Sequence, residues 1–159
     1  MTESKTSATP ILALDVGERR IGLAACGEAR SIARPLGAIR RKGLARDLAA
    51  ILRAAQEQKA GLILVGLPIS LNGTLGPQAQ RTLELCEALR KALAEAGLAA
   101  AVETWDERYT SVEAERLLGE RGRLPARATG RVDAVAAAVI LQSYLDAARR
   151  EPAYLNPLK

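Results

Sequence analysis

The chain has 159 residues, with 23 Lys and Arg against 18 Asp and Glu, two cysteines and no histidine. That length supports one domain with a sizeable core, and 48% hydrophobic with 26% charged residues is the balance of a folded globular protein rather than a disordered one. The missing histidine excludes a Ser-His-Asp triad, a Cys-His pair, a His-Glu-x-x-His zinc site and any histidine general base. Chemistry here falls to carboxylates, Lys, Arg, Tyr, Ser, Thr or Cys.

Cys26 and Cys86 are too far apart in sequence to form a paired zinc motif, and they read as buried, reduced thiols. The N-terminus MTESKTSATP is polar, with no apolar segment of the signal-peptide kind. No apolar run approaches the roughly 20 residues of a membrane span. A cytoplasmic location is expected. The net charge of +5 suits a polyanionic partner. Aromatics are confined to Trp105, Tyr109, Tyr144 and Tyr154, so a base-stacking platform is not expected and nucleic acid would be held through its phosphates.

Residues 1–9 read as a disordered leader, 10–150 as a single domain and 151–159 as an irregular, proline-bearing tail. Ile11–Asp15 is a short apolar run ending in a carboxylate, a buried strand stopping at a functional edge. A tight turn leads to a second strand, Arg20–Cys26. Ile32–Ile39 is a third, shorter strand, and Pro35 makes it an edge strand or delays its start. The period then changes: Leu44, Leu48, Ile51, Leu52 and Ala55 predict a helix over about 43–58. Leu62–Val65 is an apolar run typical of a strand buried on both faces. After a Gly/Pro/Asn-rich loop, Leu83, Cys86, Leu89 and Leu93 predict a helix from Pro77 to Ala96, stopped by Gly97. Ala99–Trp105 is the fifth strand. Thr110 and Glu113 have capping-box spacing and start a helix to about Leu118. A basic loop over Gly119–Gly130 precedes a last, Ala-rich helix over Val132–Arg149. The order predicts an α/β protein, a five-stranded mixed sheet of three antiparallel strands followed by two reached through helices, flanked by helices. The ribonuclease-H-like fold is one such arrangement.

Asp15 and Asp106 fall at strand ends, Glu107 adjoins Asp106, and Asp133 starts the last helix. Such positions on one edge of an α/β sheet bring distant carboxylates together. A histidine-free carboxylate set is a hard oxygen site that favours Mg²⁺ or Mn²⁺ over Zn²⁺, and such ions serve phosphodiester hydrolysis. Singly, each acid also has a structural reading, as turn former, helix-dipole partner or ion-pair member. The loop GLPISLNGTLGPQAQ leaves a buried strand and enters a helix, so Asn72, Gly73 and Thr74 are candidates for backbone N–H contact with a phosphate, or part of an ordinary strand-to-helix connection. It lacks the Gly-Lys-Ser/Thr of a Walker loop. Arg19 and Arg20, beside Asp15, are phosphate-binding candidates or hairpin-turn charges. Arg121, Arg123, Arg127 and Arg131 in and after the basic loop are a candidate nucleic-acid clamp or a solvated surface. Trp105 and Tyr109 read as packing residues.

Four segments, LALDVGERRIGLA, LVGLPISLNGTLGPQAQ, DERYTSVEA and RVDAVAAAVILQSYLD, occur in the order of the YqgF family, also called RuvX, and are spread over nearly the whole chain. The chain closely resembles that family. The resemblance implies a ribonuclease-H-like fold related to RuvC-type resolvases. It also implies a metal-dependent nuclease, described both as a Holliday-junction resolvase and as the enzyme maturing the 5′ end of pre-16S ribosomal RNA. It marks Asp15, the Asp106–Glu107 pair and Asp133, with Asp15, Glu107 and Asp133 as metal ligands, Asp106 hardest to separate from its neighbour, and Arg108 as a phosphate contact or an orienting partner for a carboxylate. Tyr109 and Ser111 depart from the family's usual DERLTT pattern.

The expected activity is phosphodiester hydrolysis on structured RNA or branched DNA, with a pre-ribosomal particle as an implied partner and a monomer or homodimer as the working state. RNA processing is favoured over junction resolution, because symmetric cutting calls for a two-fold dimer and the apolar helices are accounted for by a single core. The competing readings are a non-catalytic nucleic-acid-binding module and an actin-type ATPase. The ATPase would need about twice this length.

Overall fold

The computed structural model describes residues 9–110 and 129–150. The leader up to residue 8, the helix expected from Thr110 to about Leu118, the loop bearing Arg121, Arg123 and Arg127, and the tail lie outside these residues. Within them run β1 (Ile11–Val16), β2 (Arg20–Cys26), β3 (Arg34–Arg40), α1 (Leu44–Glu57), β4 (Leu62–Leu67), α2 (Pro77–Ala96), β5 (Ala101–Asp106), a 3₁₀ turn (Glu107–Tyr109) and α3 (Thr129–Arg150).

The five strands form one sheet in the order β3-β2-β1-β4-β5. β1 pairs antiparallel with β2 and parallel with β4, β2 antiparallel with β3, and β4 parallel with β5. β3 is an edge strand, as Pro35 requires, and the ladder slips between Leu23 and Ala24 where Pro35 comes opposite.

The uninterrupted apolar runs of β1 and β4 follow from burial on both faces. Side chains alternate between the faces. Ile11, Ala13, Ala24, Cys26, Leu62, Leu64 and Trp105 pack against Ala137, Ala138, Leu141 and Leu145 of α3. Leu12, Leu14, Ile21, Leu23, Ile63, Val65 and Val102 pack against Ile51 of α1 and Leu85, Leu89 and Leu93 of α2. Cys26 and Cys86 are both buried and free, one in each layer. Among the described residues no helix is long and apolar enough to cross a membrane.

Three details differ from the sequence reading. The buried side of α2 is Ala79, Thr82, Leu85, Cys86, Leu89 and Leu93. Leu83 is only half-buried, because Thr82 satisfies its hydroxyl on the Gln78 carbonyl at 3.0 Å and occupies the inner position itself. Leu44 is exposed and Asp47 is buried in the first turn of α1. The Asp47 carboxylate accepts from Arg41 Nε at 3.0 Å and from the Lys42 backbone N–H at 2.9 Å. The last helix already includes Thr129, ahead of the expected Val132.

The tightest approach between layers is at Gly22 of β2. A Cβ there would overlap the backbone carbonyl of Asp133, so α3 lies directly on the strand where a side chain is missing. Gly22→Ala should therefore destabilise the protein by about 1–3 kcal/mol through overpacking. Urea denaturation should show a lower midpoint with an unchanged slope.

Candidate active site

The close approach at Gly22 builds the site. Asp15 of β1 pairs in register with Gly22, and one step beyond the Leu14–Val65 pair it lies alongside Gly66 of β4. Asp15 thus stands between two strand positions without side chains, on the face that carries α3. Through the first gap comes Asp133, whose charge acts on Asp15. Over the second lies Glu107: a Cβ on Gly66 would be 2.7 Å from Glu107 Oε2 and 2.5 Å from Ile140 Cδ1.

Burial pushes the Asp15 carboxyl up, and the negative charge of Asp133 pushes it further. Glu107 is raised to about 7, first by burial, then by Asp15 and Asp106. These two acids line one cavity of about 390 Å³ with Thr110, Val132 and Val139. Its apolar wall lowers the local dielectric and strengthens their repulsion.

Asp106 has a different setting. Strand alternation directs it away from the face of Trp105. Its carboxylate caps the 3₁₀ turn by accepting the Arg108 backbone N–H at 2.9 Å, and it takes the Arg108 guanidinium through Nε at 3.0 Å and Nη2 at 2.7 Å. These hydrogen bonds hold Asp106 below the usual carboxylate range. The same turn is fixed to α3, since Ser143 Oγ donates to the Tyr109 carbonyl at 2.6 Å. The Trp105 ring meets Tyr109 and Tyr144 edge-on at 5.5 and 5.3 Å. Trp105 is buried, as the packing reading expects, while Tyr109 is half-exposed.

Asp133 forms an ion pair with Arg20 across the layers, so this guanidinium orients a carboxylate. Arg19 is exposed on the β1–β2 turn. In the loop after β4, Asn72 Oδ1 accepts the Thr74 backbone N–H at 3.1 Å and its hydroxyl at 2.8 Å. Gly73 has φ 89° and lies beside Arg108, whose Nη1 would be 3.9 Å from a Cβ on it. Loop and arginine share one side of the site. Arg131 belongs to α3; Arg121, Arg123 and Arg127 lie outside the described residues. Among the described residues no group of three His, Cys, Asp or Glu side chains converges on one point. Asp15 stands between Glu107 and Asp133, and Asp133 is drawn toward Arg20.

Residues 9–147 match the family described as "RuvX: Holliday junction resolvase". The chain belongs to the RuvX family. A Chloroflexus aurantiacus protein named "Putative pre-16S rRNA nuclease" is 44% identical to this RuvX chain over 142 residues, 89% of the chain and 90% of the relative. A Synechococcus elongatus protein of the same name is 43% identical over 141 residues, 89% of the chain and 91% of the relative. Among solved structures, Thermus thermophilus RuvC in complex with a Holliday junction substrate aligns with TM-score 0.57 at 17% identity, over 87% of this chain and 95% of that one. The yeast mitochondrial Holliday junction resolvase aligns with TM-score 0.58 at 12% identity, over 94% and 82%. These likenesses establish the fold expected from the sequence, the ribonuclease-H-like sheet of the RuvC type.

Sequence reasoning passed over Gly22 and Gly66. Their signal was an isolated glycine inside an apolar strand run, which marks a close approach. It also passed over Arg41 and Asp47, which carry no motif.

The raised Glu107 gives this RuvX protein a defined pH response. The folded state retains the Glu107 proton up to about pH 7, whereas the unfolded chain releases it near 4.5. Ionisation of Glu107 therefore lowers stability as pH rises through that window, and the effect is complete above it. In EDTA, Glu107→Gln should match wild type in urea denaturation below pH 4.5 and exceed it at pH 8. Equal stability at both pH values would contradict the raised Glu107 carboxyl, whose first cause is burial. Gly66→Ala should displace the Glu107 carboxylate and the Ile140 side chain together. It should lower activity by at least about tenfold while costing about 1–3 kcal/mol of stability.

Proposed function

We propose that this protein is a cytoplasmic, divalent-metal-dependent nuclease that hydrolyses phosphodiesters of structured RNA, with the 5′ end of pre-16S ribosomal RNA as its substrate. The observation that carries the reading is the Asp15–Glu107 pair, two acids held together against their own repulsion at one edge of the sheet. Structural ion pairs relieve charge, whereas this arrangement concentrates it in a cavity. The names of the relatives support the RNA substrate.

The donor set fits a hard cation. Both side chains offer only carboxylate oxygens, and one or two carboxylates completed by water and substrate phosphate is the ordinary Mg²⁺ allotment. Asp15 and Glu107 would hold Mg²⁺ or Mn²⁺, with Asp133 as the third member beside Asp15. When bound, the ion supplies charge stabilisation at the phosphoryl oxygens and a more acidic water. The chain supplies the rest. Arg20 fixes Asp133 beside Asp15, and Asp106 fixes Arg108 beside the Gly73 loop. The apolar wall of the cavity partly shields Glu107 and Asp15 from water.

Cleavage of a 5′-extended ribosomal RNA precursor and of a four-way DNA junction, each with Mg²⁺ or Mn²⁺, tests the reading. Wild type should cut the RNA in a metal-dependent way, and Asp15→Asn should lose more than about 100-fold, beyond the range for disturbing an outer metal partner. Because Asp15 is raised by burial and by Asp133, the neutral Asn should leave stability at pH 8 equal or higher, so lost activity is not lost folding. Preferential cutting of the junction would replace RNA maturation by resolution. Binding without cleavage of either would favour a non-catalytic module.

A further inference from the structure

The side of the site opposite Arg108 carries a cluster of positive charge whose purpose neither the fold nor the carboxylates explain. Arg20 and Arg40 are direct cross-strand partners of β2 and β3. Arg20 shares a face with Gly22, and therefore with Asp15. Like charges directly opposite one another on a sheet are unfavourable. Asp133 compensates Arg20; Arg40 is exposed and forms no ion pair among the described residues. Lys42 follows, also exposed, just before the N-terminus of α1, where Gly43 gives no side-chain cap. A cation there opposes the helix dipole. Arg19 adds an exposed charge on the adjoining turn.

The backbone beneath these charges is tightly fixed. The Arg41 N–H donates to the Arg19 carbonyl at 2.8 Å, and Arg41 Nη1 to the Gly17 carbonyl at 2.9 Å. Arg41 Nε reaches the buried Asp47 at 3.0 Å, and that carboxylate also takes the Lys42 N–H at 2.9 Å. Arg41 and Asp47 therefore neutralise each other, while the exposed Arg19, Arg40 and Lys42 form no ion pair among the described residues. β3 is two strand spacings, about 10 Å, from β1, and β5 with Arg108 is the same distance away on the other side.

We propose that Arg40 and Lys42, with Arg19 beside them, form a rail that grips backbone phosphates of the nucleic-acid substrate on the β3 side of the Asp15–Glu107 pair. The rail rests on the nuclease reading above and adds a direction to it. The bound strand crosses the sheet edge from the Arg108–Gly73 side, over the carboxylates, to the β3–α1 connection. The contacts are to phosphates, so they add affinity without base preference.

The test is binding of the labelled ribosomal RNA precursor to Arg40→Gln/Lys42→Gln over a salt series, in an Asp15→Asn background that prevents cutting. Removing two phosphate contacts from a single strand should reduce the slope of log affinity against log salt by about 1.4, and weaken binding by about 10- to 60-fold near 50 mM salt. With Asp15 restored, the rise should appear in KM, and kcat should hold. Arg40→Lys/Lys42→Arg should recover the slope. Arg53→Gln, which removes an exposed cation from the middle of α1, should change nothing, and thermal melts should show all variants folded. Wild-type slope and affinity in the double variant, with wild type binding and cutting normally, would overturn the rail alone. Wild type that neither binds nor cuts the precursor or a four-way DNA junction would overturn the nuclease reading and the rail with it.

Discussion

Everything at the site depends on one packing constraint: α3 and the 3₁₀ turn must both reach Asp15 at the middle of a sheet. A strand interior is normally screened by the side chains of its neighbours. Here both neighbouring positions on that face are glycine, so the backbone of Asp133 and the carboxylate of Glu107 take up the space. The glycines forfeit packing and conformational entropy. In return, acids from distant parts of the chain come to one edge of the sheet, with Asp15 between Glu107 and Asp133. The hydrophobic layers on either side supply the rigidity that holds the acids there.

The cluster is organised by unequal compensation. Asp106 and Asp133 each have an arginine, Arg108 and Arg20 respectively. Asp15 and Glu107 have none among the described residues, and both carboxyl groups are raised by burial. The two outer pairs thus act as struts, and the inner pair stores electrostatic tension that an incoming cation would release. The same division recurs at the β3–α1 connection, where Arg41 and Asp47 compensate each other in the interior and the neighbouring cations are left to solvent. Stability and function are separated residue by residue, often between adjacent positions in the sequence.

Much of the fold was legible because period and punctuation agreed. The doubly apolar runs of β1 and β4, the helical spacing in α1 and the proline in β3 each pointed to the element found. The carboxylates were legible as a set because they fell at element ends. Their division of labour was not. Val102 and Trp105 lie on opposite faces of β5, and that alternation turns Asp106 away, but Glu107 reaches the site only through a 3₁₀ turn, whose rotation no local pattern specifies. Arg20 and Asp133 are separated by 113 positions, so their pairing is a product of tertiary packing alone. Thr82, a polar residue satisfied by its own helix, took a core place that hydrophobicity assigned to Leu83.

That long separation also governs when the site comes into being. The antiparallel strands β1 to β3 are contiguous in sequence and can pair early, as local contacts form faster than distant ones. They then present Asp15 on a face still open to water, with Gly22 as an empty notch. Only the last helix brings Asp133, and with it the wall that encloses Glu107. A nascent chain whose α3 has not yet emerged from the ribosome therefore lacks Asp133 beside Asp15, whatever the state of its first strands.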